Sequence, residues 1–100
     1  MLKRKQLVHV SWEDIVDFAG DDWNDDPAAY PTALISSTGW VVFPFKKRMK
    51  TLHICRDWDE DGNTPRSVIA IPSGCISSII GVELGPELWD LSKPDEEPDA

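Results

Sequence analysis

Alternation of apolar and polar residues with a period of two constrains this chain more than any other feature. In residues 7–12 the pattern places Val8, Val10 and Trp12 on one side, and residues 51–58 repeat it with leucine, isoleucine and tryptophan on a shared face. Successive side chains of a β-strand point to opposite faces, so each segment predicts a strand with one buried face.

Three further segments also predict strands. Residues 32–45 are rich in β-branched and aromatic residues, and Gly39 near the middle favours one sharply bent strand over two strands around a tight turn. Residues 67–71 and 75–84 supply the other two, and the Asp-Gly step in residues 59–63 is typical of a hairpin turn. Five strands without a strand–helix rhythm indicate a mainly β protein.

One short helix is predicted after the first strand. Ser11 and Asp14 have the spacing of a capping box, and Gly20 would end the helix. Residues 21–31 contain two prolines and many acids, which favours a loop. The apolar residues at helical spacing are Trp12, Ile15, Val16, Phe18 and Ala19.

A length of 100 residues allows one core, and the 41% hydrophobic fraction is high enough for that core to fold. We therefore predict a single β-barrel domain over residues 7–91, because closure of a small five-stranded sheet removes its exposed edges. Within it, Leu88 and Trp89 would dock a last turn. Residues 1–6 are expected to form a flexible basic N-terminus, and residues 92–100 a disordered acidic tail.

The sequence has no apolar run long enough to cross a membrane and no signal-peptide pattern at its start. We expect a cytoplasmic protein. Cys55 and Cys75 are 20 residues apart and belong to no closely spaced pair, so reduced thiols are the default, and a bridge between the two stays open as the alternative.

The order of these elements resembles the SH3-like barrel and, within it, the Sm-like family. Three short motifs resemble small bacteriophage proteins of unknown function; they are Trp12-x-Asp14, Gly39-Trp40-Val41 and Ile71-Pro72-x-Gly74-x-Ile76. Sm-like proteins form rings by pairing the edge strands of neighbouring subunits, so the resemblance implies a homo-oligomer, and the phage motifs imply a protein made in a host cell.

Two departures separate this chain from the RNA-binding members of the Sm-like family. The family's RNA-contacting Asp and Asn pair has no counterpart before Phe45, and Pro72-Ser73-Gly74 replaces the Arg-Gly step of its second motif. RNA binding is therefore not carried over from the resemblance.

Net charge argues in the same direction. The formal charge of −8 repels the phosphate backbone that supplies most non-specific affinity for nucleic acids. Seven acids crowd into residues 13–26, and seven more end the chain. The internal cationic cluster, called here the basic loop, consists of Lys46, Lys47, Arg48 and Lys50.

Asp57-x-Asp59-x-Asp61-Gly62 matches the first half of a calcium-binding loop, in which alternate carboxylates converge on the ion. The second half is missing, because Val68 stands where a bidentate Glu is needed. We expect an acidic turn with no bound metal, and keep the three carboxylates as weak candidates.

Zinc and nucleophilic catalysis receive less support. His53, Cys55 and Asp57 alternate on one strand face, and Cys75 or His9 could complete a tetrahedral set, but no CxxC or HxxxH spacing is present. Neither cysteine lies in a glycine-framed nucleophile turn. We expect no enzymatic activity and no cofactor.

Five tryptophans remain to be explained. Those at positions 12, 40 and 58 fit a core or a subunit interface, whereas Trp23 and Trp89 lie in polar segments where an exposed ring could anchor a partner. We predict a non-enzymatic oligomeric binding or assembly protein of phage origin that presents Trp23, Trp40 and the basic loop to a host protein, a virion component or a nucleotide. The alternatives are an Sm-like RNA-binding ring and an acidic nucleic-acid mimic acting through residues 13–26.

Overall fold

The computed structural model describes residues 1–15 and 23–93. It contains one antiparallel sheet of five strands in the order β4-β3-β2-β1-β5. The strands are β1 (Leu7–Asp14), β2 (Ala33–Val41), β3 (Thr51–Trp58), β4 (Pro65–Pro72) and β5 (Ile76–Gly81). Two short 3₁₀ helices, Pro27–Ala29 and Ser73–Cys75, complete the described elements.

The mainly β prediction is confirmed, and the predicted closed barrel is wrong. Closure would require β4 to pair with β5, but the two strands lie at opposite edges of the sheet. The 3₁₀ helix Ser73–Cys75 carries the chain from β4 to β5, which pairs with β1 instead. Within residues 1–15 and 23–93, no strand therefore pairs with the outer edge of β4 or of β5.

The predicted helix is also corrected at its start. Trp12, Glu13 and Asp14 belong to β1, where they pair with Ile35, Leu34 and Ala33 of β2. Extension of the β1–β2 ladder satisfies the backbone groups of these residues, which a helix would have satisfied locally. Residues 16–19 of the predicted helix lie outside the described residues.

The core lies where the alternating faces of the inner strands meet. Val8 and Val10 of β1 are fully buried, as their alternation predicts, and Trp12 packs against the same cluster. Burying such side chains stabilises the fold by roughly 1.5–3 kcal/mol each. The buried cluster consists of Val8, Val10, Val41, Phe45, Leu52, Ile54 and Ile71.

The bend predicted at Gly39 coincides with a change of partner. Along most of its length β2 pairs with β1, but only Trp40 and Val41 pair with β3, opposite Cys55 and Ile54. A Cβ atom on Gly39 would lie 2.7 Å from the carbonyl oxygen of Cys55. Glycine is thus needed here for the close approach of the two strands.

Residues 1–6, expected from the sequence to be flexible, lie against the sheet. The backbone of Leu2 exchanges hydrogen bonds with Phe45, and the N–H of Lys5 donates to the carbonyl oxygen of Val41. The guanidinium of Arg4 donates to the carbonyl oxygens of Val42 and Asn63. These contacts give the basic N-terminal residues an internal structural role.

The segment after β5 does not dock as predicted. Residues 82–91 form no strand or helix, and Leu88 and Trp89 remain 90% and 57% exposed. No described helix is long and apolar enough to cross a membrane. Most of the predicted acidic tail, residues 94–100, lies outside the described residues.

Candidate functional site

The basic loop connects β2 to β3 and is anchored by the buried ring of Phe45. Its four cationic side chains are exposed, and none of them forms an ion pair with a described residue. Lys47 also lines a hollow of about 330 Å³, together with Phe45, Ile76 and Ile79. The loop therefore presents positive charge beside a partly apolar depression.

Trp23 and Trp40, which the sequence predicts to contact a partner, lie in different structural environments. Trp23 is 80% exposed and stacks on Tyr30 with ring centroids 5.5 Å apart, while its indole N–H donates to Asp25. Trp40 is half-buried within β2, between Leu7 of β1 and Cys55 of β3. These two residues and the basic loop thus lie on three separate elements of the structure.

Trp58 is engaged internally. The Arg4 guanidinium lies 5.0 Å from the centre of its ring, and the Lys5 ammonium lies 5.4 Å from it. Lys5 also donates to the side chain of Asn63. Such cation–π contacts stabilise by about 0.5–1 kcal/mol at exposed sites, so they hold the N-terminal segment on the hairpin turn.

Two of the three carboxylates of the partial calcium motif are bound within the hairpin. Asp59 forms an ion pair with Arg66, and Asp61 accepts hydrogen bonds from the N–H of Asn63 and from both the N–H and hydroxyl of Thr64. These bonds, that from Asn63 foremost, lower the pKa of Asp61. Among the described residues, no group of three or more His, Cys, Asp or Glu side chains is arranged to hold a metal ion.

The residues considered for zinc and catalysis are likewise dispersed. His9 Nδ1 lies 2.8 Å from the hydroxyl of Thr38, and His53 packs edge-on against Phe43. Cys55 and Cys75 are both unbridged thiols, which resolves the alternative left open by the sequence. Burial raises the pKa of Cys55 despite the opposing charge of Arg4, so the reactive thiolate is disfavoured.

Apolar side chains are exposed at both edges of the sheet. On β4, the neighbours Val68 and Ile69 point to opposite faces and are 44% and 41% exposed. At the other edge, Ile80 of β5 is exposed and leads into residues 82–91, called here the C-terminal arm. The exposed apolar residues of the arm are Val82, Leu84, Leu88, Trp89 and Leu91.

A cleft between the inner strands was not foreseen from the sequence. It has a volume of about 240 Å³ and opens where β2 and β3 separate beyond their two paired residues. Serine and threonine residues in a strand predict solvent-facing positions. Their pattern in the sequence therefore does not indicate that they line a common cleft. Its lining consists of Ser36, Ser37, Thr38, Ile54, Cys55, Arg56, Ser67 and Ile69.

Comparisons with protein-family models, with curated protein sequences and with solved structures return no match to this chain.

Proposed function

We propose that this protein is a non-enzymatic subunit of a homo-oligomer that acts in binding or assembly. The observation that carries the proposal is the pair of unpaired edge strands, β4 and β5, both of which expose apolar side chains. An open edge offers unused N–H and C=O groups to another strand, and natural monomers usually block it with charges, proline or a covering element.

The edge of β4 illustrates the argument. Val68 and Ile69 occupy opposite faces of the strand, so each face of this edge exposes part of an apolar side chain. The C-terminal arm adds a second exposed apolar surface at the β5 edge. Exposed apolar side chains that together form a large patch are a common mark of protein–protein contact.

We also propose a specific type of fold for the sheet. Five antiparallel strands with a short 3₁₀ turn between the last two support an SH3-like arrangement of the Sm-like type, with the β4 and β5 edges left open. The phage origin and the host cytoplasm as the place of action rest on the short motifs quoted above. A host or virion protein is the partner we propose for the assembled form.

The test is the mass of the full chain in solution, measured by light scattering during size-exclusion chromatography. We expect a multiple of the 11.2 kDa chain mass, with five to seven subunits for an Sm-like ring. Val68→Lys should reduce that mass, because a desolvated lysine at the β4 edge opposes strand pairing. Ser11→Lys, on the inner strand β1, is the control and should leave the mass unchanged, because Ser11 pairs with Ser36 of β2 on one side and Ser78 of β5 on the other.

A wild-type chain that is monomeric at all concentrations would overturn the proposal. Equal effects of the two lysine substitutions would also count against edge pairing, because they would point to a general loss of solubility or stability. Far-ultraviolet circular dichroism of each variant separates unfolding from dissociation.

A second candidate function is an RNA-binding ring, favoured by the four exposed cations of the basic loop. Binding of single-stranded RNA should then weaken between 50 and 200 mM salt, by roughly 50-fold if the four cations of one subunit contact four phosphates. Replacing the four cations by glutamine should abolish binding. The acidic-mimic alternative depends on residues 13–26, which lie partly outside the described residues, and stays a prediction.

A further inference from the structure

The cleft between β2 and β3 lies at an interruption of the sheet. The ladder between these strands consists of Trp40 opposite Cys55 and Val41 opposite Ile54. Beyond those two pairs, β2 continues along β1 while β3 continues along β4, and the space between them becomes the cleft. Backbone groups that a continuous sheet would have paired therefore face an open volume.

Alternation identifies which backbone groups these are. The N–H of Val41 donates toward the β1 side, to Gln6, and the N–H of Val42 donates toward β3, to His53. Because the direction alternates along a strand, the N–H and C=O groups of Ser36 and Thr38 point toward the cleft. Two backbone N–H donors and two C=O acceptors of β2 thus face it.

The opposite wall contains a second irregularity. The ladder between β3 and β4 pairs Cys55 with Val68 and Asp57 with Arg66, and skips the intervening Arg56 and Ser67. Ser67 has a φ of +54°, in the left-handed region that serine rarely adopts. Strained backbone persists only where its surroundings enforce it, and it clusters at ligand sites.

The side chains around the cleft match an anion. Arg56 forms no ion pair or side-chain hydrogen bond with any described residue, and neither does the hydroxyl of Ser36 or Ser67. The hydroxyls of Ser37 and Thr38, in contrast, are held by Trp12 and His9. No carboxylate lines the cleft, although the chain carries a net charge of −8.

We propose that this cleft binds a small phosphate-bearing molecule. Arg56 supplies the planar donor pair that fits two phosphate oxygens, and the hydroxyls of Ser36 and Ser67 together with the N–H groups of β2 donate to the remaining oxygens. A tetrahedral group uses donors arriving from both walls, whereas a flat carboxylate is satisfied by the arginine alone. The site is built within one chain and does not depend on the oligomer proposed above.

The test is an NMR titration of the ¹⁵N-labelled full chain with inorganic phosphate at constant ionic strength. We expect saturable shifts of the amide signals of Ser36, Thr38, Arg56 and Ser67. Arg56→Gln should weaken the fitted affinity at least tenfold. Arg66→Gln removes a neighbouring arginine that is paired with Asp59, and as the matched control it should change the affinity less than twofold.

Three results would overturn the proposal. Shifts confined to the basic loop would assign phosphate to that surface, and equal losses in the two arginine variants would reduce the effect to general attraction. Acetate that produces the same saturable shifts as phosphate would exclude a phosphate site. The dispersed spectrum of each variant reports its folding directly, so a loss of binding is distinguished from a loss of structure.

Discussion

Gly39→Ala tests whether the close approach of β2 and β3 holds the sheet together. The added Cβ would lie 2.7 Å from the carbonyl oxygen of Cys55 and 3.4 Å from the Cβ of Ile54. The first contact is with backbone, so one of the two strands must move. Overpacking of this kind typically costs 1–3 kcal/mol, and moving the strands also weakens a ladder of only two pairs, Trp40 with Cys55 and Val41 with Ile54.

Losing about one net hydrogen bond adds roughly 1 kcal/mol, while the stiffer unfolded chain of the alanine variant returns about 0.5 kcal/mol. We therefore expect Gly39→Ala to lower the free energy of unfolding by about 2.5 kcal/mol. For a chain of this length that corresponds to a fall in melting temperature of about 10–20 °C.

The assay is urea denaturation followed by tryptophan fluorescence, with Gly74→Ala as the matched control. A Cβ on Gly74 meets no atom within 4 Å, so this variant should be unchanged or slightly more stable. A Gly39→Ala variant as stable as the wild type would show that the two strands can separate without penalty, and it would refute the packing argument.

Three further predictions concern single residues. Ser67→Gly should raise the free energy of unfolding by about 0.5–1 kcal/mol in the same denaturation assay, because glycine adopts a φ of +54° without steric strain; a loss of stability would contradict the strain. The lowered pKa of Asp61 means that its carboxylate stabilises the fold above the ordinary carboxyl pKa and that this contribution is lost as pH falls through the lowered folded-state value. The melting temperatures of the wild type and Asp61→Asn should therefore differ at pH 7 and converge in strong acid; a constant difference would refute this assignment. Iodoacetamide should alkylate Cys75 well before Cys55, which is buried and has a raised pKa; peptide mass spectrometry measures the order, and equal rates would contradict it.

Local patterns predicted the strands well because strand formation here follows side-chain alternation. The bounds of β3 coincide with the predicted segment 51–58, and the turn after it contains Gly62 at a φ of +69°, as an Asp-Gly turn requires. The prediction of secondary structure failed where one segment fits both a helix and a strand. Trp12 fits both a helical stripe and a strand face, and the long-range pairing with Ile35 decided for the strand.

Closure of the sheet could not be predicted for the same reason. Whether β4 meets β5 depends on how sharply the sheet curves, and that curvature is set by contacts between distant residues. Cys55 shows the limit clearly: alternation placed it on the face opposite Leu52 and Ile54, yet it is 1% exposed, and its partner across the ladder is the half-buried Trp40 of β2.

The candidate sites were only partly accessible to sequence reasoning. The exposure of the basic loop and of Trp23 is in agreement with their polar surroundings. The sequence pattern does not single out Arg56 and Ser67. These two residues are related only because the β3–β4 ladder is interrupted between them. Side-chain alternation predicts which face of the sheet a residue occupies. It does not predict whether that residue lacks a partner on the neighbouring strand.

The position of β5 beside β1 bears on how the chain is made. Val8 pairs with Gly81, so nearly all of the described chain is synthesised between the two partners. The hairpin of β3 and β4 joins residues close in sequence and can form early, whereas β1 must wait for its second neighbour. During that interval a nascent chain has two open strand edges, those of β4 and β1, that can accept a wrong partner, and slow synthesis of residues 76–81 prolongs this exposure.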